Sequence, residues 1–155
     1  MVTVSDGVAE GTREDESGAV LEELLAGQGF DVQREVVPDE RAPIVAALSR
    51  LSLEADLILT TGGTGLAARD VTPEATRSVL DRRVPGIEEA LRANSIAKTV
   101  HGLLSRGVAG VRGGTLIVNL PGSPGACRDG FAVLQPALEH ALKLLSDEAT
   151  EHRQT

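Results

Sequence analysis

Twice in this chain an apolar, largely β-branched run ends in a glycine-rich corner and then opens a helix. That repeated pattern restricts the fold more than any other feature of the sequence. Leu57-Ile58-Leu59-Thr60 enters Thr61-Gly62-Gly63-Thr64-Gly65, and Thr72-Pro73 opens the next helical stretch, with Thr72 expected as its N-cap. Thr115-Leu116-Ile117-Val118-Asn119-Leu120 enters Pro121-Gly122-Ser123-Pro124-Gly125, which places Ser123 as an N-cap and Pro124 as the first helical residue. Strands that alternate with helices lie parallel and are joined by right-handed crossovers. The expected fold class is therefore α/β, a three-layer αβα sandwich around a mostly parallel sheet.

The remaining segments fit that frame. Val2-Thr3-Val4-Ser5 reads as a short first strand, and Phe30 to Val37 as a second whose exit is marked by Pro38. Between them, Gly7 to Ser17 is polar and acidic and is expected as a mobile loop. Val20, Leu21, Leu24 and Leu25 then form a helical stripe ended by Gly27 and Gly29. Ile44, Val45, Leu48 and Leu51 give a second helical face. The helix that starts at Thr72 runs to Leu80, Asp81 to Gly86 breaks the chain, and Ile87, Ala90 and Leu91 begin a helix that reaches Lys98. Val108 to Val111 is expected as a short strand, turned by Arg112-Gly113-Gly114 into the run from Thr115. The last helix carries Phe131, Leu134, Leu138, Leu142 and Leu145 on its apolar face. Pro136 inside it is expected to kink or split it, and the charged tail after Ser146 to fray.

Length and composition bound the function. The 155 residues suit one domain, 1–155, with a core large enough to need no disulfide. A net charge of −8, with two Phe and no Trp or Tyr, argues against a nucleic-acid partner, which needs cations for phosphates and rings for bases. Cys127 is the sole cysteine, and His101, His140 and His152 are scattered, so neither a cysteine-based zinc site nor a Cys-His nucleophile is in view. Cys127 reads as core filler. No apolar run is long enough for a membrane span, and no export signal is visible at the N-terminus, so a cytoplasmic setting is expected.

In open parallel sheets, ligands sit outside the carboxyl ends of the strands. That rule gathers Ser5-Asp6, Asp39, the Gly62-Gly63-Thr64-Gly65 corner with Asp70, and Gly122-Ser123-Pro124 on one rim. Glycines let the main chain approach a ligand closely, and successive free N–H groups form an anion-binding concavity. The corner matches neither the GxxxxGK[ST] loop nor the GxGxxG dinucleotide turn. A phosphate is the anion such a corner suits. Asp39 and Asp70 supply the carboxylates with which Mg²⁺ is held beside substrate phosphates. The simpler alternatives are a turn or cap role for Asp39, an ion pair with Arg69 for Asp70, and plain turn formation by Ser5 and Asp6.

The run TTGGTGLAARDVTPEAT (Thr60 to Thr76), with TVSDG (Thr3 to Gly7), VPDE (Val37 to Glu40), LSRGVAG (Leu104 to Gly110) and NLPGSP (Asn119 to Pro124), resembles the Mog/MoaB group of molybdenum-cofactor biosynthesis proteins. That group is similar to the G domain of gephyrin and its plant counterpart. The resemblance covers nearly the whole chain in order. It implies a three-layer α/β protein that binds molybdopterin and adenylates its terminal phosphate with Mg-ATP, releasing pyrophosphate. It implies Asp39 and Asp70 as the catalytic and metal-holding acids. Ser5, Asp6, Gly62, Gly63, Thr64, Gly65, Gly122, Ser123 and Pro124 are implied as the residues around molybdopterin and ATP. It further implies a homo-oligomer, trimeric or in some members hexameric, and a downstream protein that inserts molybdenum. A non-catalytic molybdopterin carrier is the alternative function. Two departures stand out. Only Met1 and Val2 precede the first strand motif, which points to a weakened first strand or to a different start site. Gly125-Ala126 also stands where a basic or polar residue is usual, with Arg128 nearby.

Overall fold

The computed structural model describes residues 1–154, with side chains described through Asp147. Six strands form one sheet: β1 (Val2–Val4), β2 (Glu35–Val37), β3 (Leu57–Thr61), β4 (Arg82–Arg83), β5 (Ala109–Arg112) and β6 (Thr115–Leu120), in the spatial order β2-β1-β3-β6-β5-β4. The four strands from β2 to β6 in that order run parallel, while β5 and β4 are antiparallel to their neighbours. Helices α1 (Asp6–Ala9), α2 (Glu16–Gly27), α3 (Arg41–Leu51), α4 (Thr72–Val79), α5 (Pro85–Lys98) and α6 (Pro124–Gln154) complete it, with a 3-10 turn at Val100–Leu104.

Side chains alternate across a strand, and here the alternation feeds two separate cores. Leu59, Leu116, Val118 and Leu120 face α2, α5 and α6, where Leu21, Phe131 and Leu134 are buried. Ile58 and Ile117 face α3 and α4, beside Ile44, Leu48, Ala75 and Val79. The αβα sandwich expected from the sequence is the fold observed.

Several local expectations change. Only Glu35–Val37 of the Phe30 to Val37 segment joins the sheet, because its sole neighbour there is the three-residue β1, which pairs residue for residue with it. Nor is β1 weak: Val2, Thr3 and Val4 are buried, β1 lies between β2 and β3, and the Met1 ammonium donates to the Gln33 carbonyl at 2.6 Å. The 81–86 break contains β4, a two-arginine strand with no apolar signature. Pro136 does not split α6; Phe131, Leu134 and Leu138 on either side are anchored in one core, which outweighs one lost main-chain bond. The expected fraying after Ser146 concerns residues whose side chains lie outside the described ones beyond Asp147.

Candidate active site

The carboxyl ends of β1, β2, β3 and β6 open on a cavity of about 220 Å³. Ser5, Asp39, Gly62, Gly63, Asp70, Gly122 and Pro124 line it, so seven of the rim residues named from sequence meet there. Asp6, Thr64, Gly65 and Ser123 do not line it and act otherwise.

The corner after β3 is built by main-chain necessity. Gly62 N–H donates to the Leu120 carbonyl at 3.1 Å, and Gly62 sits at φ +100° with Val4 O only 2.2 Å from where a Cβ would stand. No L side chain fits there. Gly63, at φ +67°, has the Thr72 hydroxyl 2.3 Å and Asp39 Oδ1 3.3 Å from its would-be Cβ. Thr72 is not the N-cap of α4. Val71 takes that position without a side-chain bond, and the Thr72 hydroxyl donates to the Gly62 carbonyl at 3.0 Å. Among the described hydrogen bonds, none is donated by the main-chain N–H of Gly63, Thr64, Gly65 or Leu66. Four successive free donors form the kind of nest that takes an anion.

Asp6 and Asp39 are bound reciprocally. Asp6 N–H donates to Asp39 Oδ2 at 2.8 Å, and Asp39 N–H donates to Asp6 Oδ1 at 3.0 Å. Arg69 grips Asp6 through Nε at 2.5 Å and Nη2 at 2.9 Å, with Glu40 3.8 Å away. The Arg69–Asp70 pair suggested by their adjacency is therefore absent; Arg69 ties the glycine corner to the β1 turn through Asp6. Ser5 N-caps α1, accepting from Val8 N–H at 3.3 Å, and Ser123 N-caps α6, accepting from Ala126 N–H at 3.2 Å. Ser123 faces a second cavity, of about 310 Å³, on the other side of the Pro121–Pro124 turn.

The two neighbouring aspartates are pushed in opposite directions. Arg69's hydrogen bond, and then the Asp39 main chain, hold the Asp6 carboxyl below its ordinary value. Burial, followed by the charges of Asp6 and Asp70, raises Asp39, while the Asp6 main-chain bond opposes. Asp6 is thus an anion engaged by Arg69, whereas the Asp6 main chain and the Arg69 charge offset only part of what raises Asp39. Asp70 Oδ2 accepts from Ala67 N–H at 2.9 Å. Among the described hydrogen bonds, Oδ1 of Asp39 and Oδ1 of Asp70 accept none. Two unengaged carboxylate oxygens at one cavity are the hard donor set that Mg²⁺ prefers, and the residues present fit such an ion.

The sequence reading missed the turn that carries Arg13. Gly7 to Ser17 was expected as a mobile loop, but it holds α1 and a tight return in which Thr12 and Arg13 N–H both donate to the Gly7 carbonyl, at 2.8 and 3.0 Å. Asp15 then caps α2 through Gly18 N–H at 3.0 Å and takes the Thr3 hydroxyl and Arg34, each at 2.8 Å. This return brings Arg13 to the cavity as the one basic residue lining it. A lone arginine among five acids between residues 6 and 16 was the only signal. Asn119 was also missed. Its amide donates to Thr60 and Thr76 hydroxyls, both at 3.0 Å, and its Oδ1 accepts from Val108 N–H at 3.2 Å. Cys127 is fully buried, its thiol raised by burial and bonded to the Pro121 carbonyl at 3.2 Å, which fits a packing role.

Among known proteins, residues 1–140 match the family described as "Probable molybdopterin binding domain". The molybdopterin adenylyltransferase of Helicobacter pylori strain J99 is 37% identical over 150 residues, covering 94% of this chain and 85% of that protein. The Drosophila melanogaster protein named molybdenum cofactor synthesis protein cinnamon is 40% identical; the match takes in all of this chain and only 26% of the longer relative. The crystal structure of the molybdopterin biosynthesis enzyme MoaB from Thermus thermophilus superposes with a TM-score of 0.88 at 50% identity, covering 94% of each chain. Among the described residues, no helix is long and apolar enough to cross a membrane.

Proposed function

The chain belongs to the family of molybdopterin-binding domains, and from that premise we propose that it is a molybdopterin adenylyltransferase of molybdenum-cofactor biosynthesis. The substrates are molybdopterin and ATP. An oxygen of molybdopterin's terminal phosphate attacks the α-phosphorus of ATP. The bond from that phosphorus to the bridging oxygen breaks, and pyrophosphate leaves with the electron pair. No side-chain nucleophile is needed, so the protein's work is positioning and charge neutralisation.

The observation that carries this reading is the meeting at one cavity of Asp39, Asp70 and Gly63, the residue at which the unengaged N–H row of the glycine corner begins. Asp39 and Asp70 are the residues that would hold Mg²⁺, which when bound supplies neutralisation of phosphate charge. The N–H row that begins at Gly63 would take phosphate oxygens, and Arg13 adds a positive charge at the cavity wall.

Asp70→Asn tests this directly. It keeps the Ala67 N–H acceptor but removes the charge, and pyrophosphate release with molybdopterin and Mg-ATP should fall by about 100-fold or more. Folded Asp70→Asn protein working at the parent rate would reject the assignment.

A non-catalytic carrier of molybdopterin is the alternative, favoured by one observation: Gly125-Ala126 stands where a basic or polar residue is usual after the turn that follows β6. Calorimetry separates the two. Molybdopterin binding with no Mg-ATP binding would select the carrier. The proposal also includes a cytoplasmic setting, delivery of the adenylylated product to a molybdenum-inserting protein, and a homotrimer or hexamer. Exposed Ile96, Val100, Leu103 and Leu104, clustered at the end of α5 and the 3-10 turn, support the last point.

A further inference from the structure

Arg106 lies between the 3-10 turn and β5, outside the cavity, in the LSRG stretch whose role the proposed reaction leaves unexplained. Three of its hydrogen bonds go to one segment. Its main-chain N–H donates to the Thr64 carbonyl at 2.9 Å, Nε to the Gly65 carbonyl at 2.8 Å, and Nη2 to the Asp70 carbonyl at 2.6 Å. Nη1 meets Glu74 Oε1 on α4. Burial acts most strongly and would raise the Glu74 carboxyl, but the Arg106 bond, Glu74's own main chain and the charges of Arg106 and Arg77 together hold it below its ordinary value. The side chain is only about one-third exposed, at 32%.

We propose that Arg106 is the positioning residue of the active site: its planar fork holds the two ends of the Gly65–Asp70 loop, and so fixes both the Asp70 carboxylate and the direction of the anion-binding N–H groups. The peptide is planar and trans, so a carbonyl turned toward Arg106 turns the following N–H the other way. With the carbonyls of Thr64 and Gly65 held, the N–H groups of Gly65 and Leu66 point away from the guanidinium. The same hold sets Asp70. Its Oδ2 is 2.9 Å from where a Gly65 Cβ would stand and bonds Ala67 N–H, so the carboxylate is seated on the loop that Arg106 fastens at Gly65 and Asp70. Guanidinium geometry matters here, because three acceptors in separate directions suit a rigid fork and not an ammonium.

This inference rests on the adenylyltransferase reading for its kinetic arm only. In Arg106→Ala, hydrogen–deuterium exchange across residues 63–71 should rise while β3 and β6 stay protected. The Mg²⁺ concentration for half-maximal pyrophosphate release should rise by about tenfold or more, as it does when partners of metal ligands are lost. Arg106→Lys should recover little of either, and added ethylguanidinium should partly restore the Ala variant. Glu74→Gln, which loosens the guanidinium without removing its main-chain bonds, should shift both readouts the same way by less, and it carries the test if Arg106→Ala does not fold. Unchanged exchange over 63–71, or full recovery by Lys, would overturn the proposal. An inactive parent protein would instead defeat the adenylyltransferase reading, leaving the exchange measurement to decide on Arg106.

Discussion

Asp39 shows what the site asks of a single residue. Its carboxyl is raised by burial and by the nearby Asp6 and Asp70 charges, so ionising it costs the folded state something that the unfolded chain does not bear. Below the ordinary aspartate value both states are neutral and the cost is absent. As pH rises past that value the unfolded chain ionises first, and the cost grows until the folded group has ionised too. Asp39→Asn keeps an oxygen for the Asp6 N–H and removes the charge. It should therefore melt at a higher temperature than the parent at neutral pH, with the gap closing below the ordinary aspartate range. Thermal melts from pH 3 to 8 would show it, and a variant less stable than the parent at neutral pH would contradict the account. Such a cost is expected where a cation-binding role, not stability, fixes the residue. Asp39 and Asp70 were legible as sequence because their motifs are local. The tie of Arg69 to Asp6, 63 positions apart, was not.

At the scale of elements, the glycine corner is held from beneath. The Thr61 hydroxyl donates to the Pro121 carbonyl at 2.8 Å, so the turns after β3 and β6 are fastened to each other. Asn119 on β6 joins Thr60 on β3 to Thr76 on α4, and so fixes the helix that begins just past Asp70. All three side chains are buried, so removing the amide strands two hydroxyls and one main-chain N–H away from water. Asn119→Ala should cost about 1–3 kcal/mol in denaturant unfolding, the usual range for orphaning buried polar groups. A loss within about 0.5 kcal/mol, typical of a surface change, would mean that the network is dispensable. Sequence periodicity located β3, β6 and α4 because their apolar residues repeat with the right period. It could not locate β4, whose two arginines join the sheet only because β5 offers an edge.

For the whole molecule, two apolar layers lie on either side of the sheet, and among the exposed apolar side chains of the described residues four cluster at one place. Val100 and Leu103 are 67% and 61% exposed, beside Ile96 and Leu104 at the end of α5. The assembly proposed above would cover it with a contact between copies. Light scattering at micromolar concentration should give a trimer or hexamer, and Leu103→Asp should shift it toward monomer. A monomeric parent would contradict this.

The sequence by itself determined the layer order, the two strand-to-helix corners and the rim on which Asp39 and Asp70 fall, because each follows from local periodicity and from turn residues whose conformations few others adopt. Only the tertiary structure decided which side chains use that rim. Arg13 comes to the cavity, Asp6 turns to Arg69, and Arg106 fastens a loop more than thirty residues before it in the chain, since hydrogen bonds between distant segments exist only once the sheet has brought their ends together.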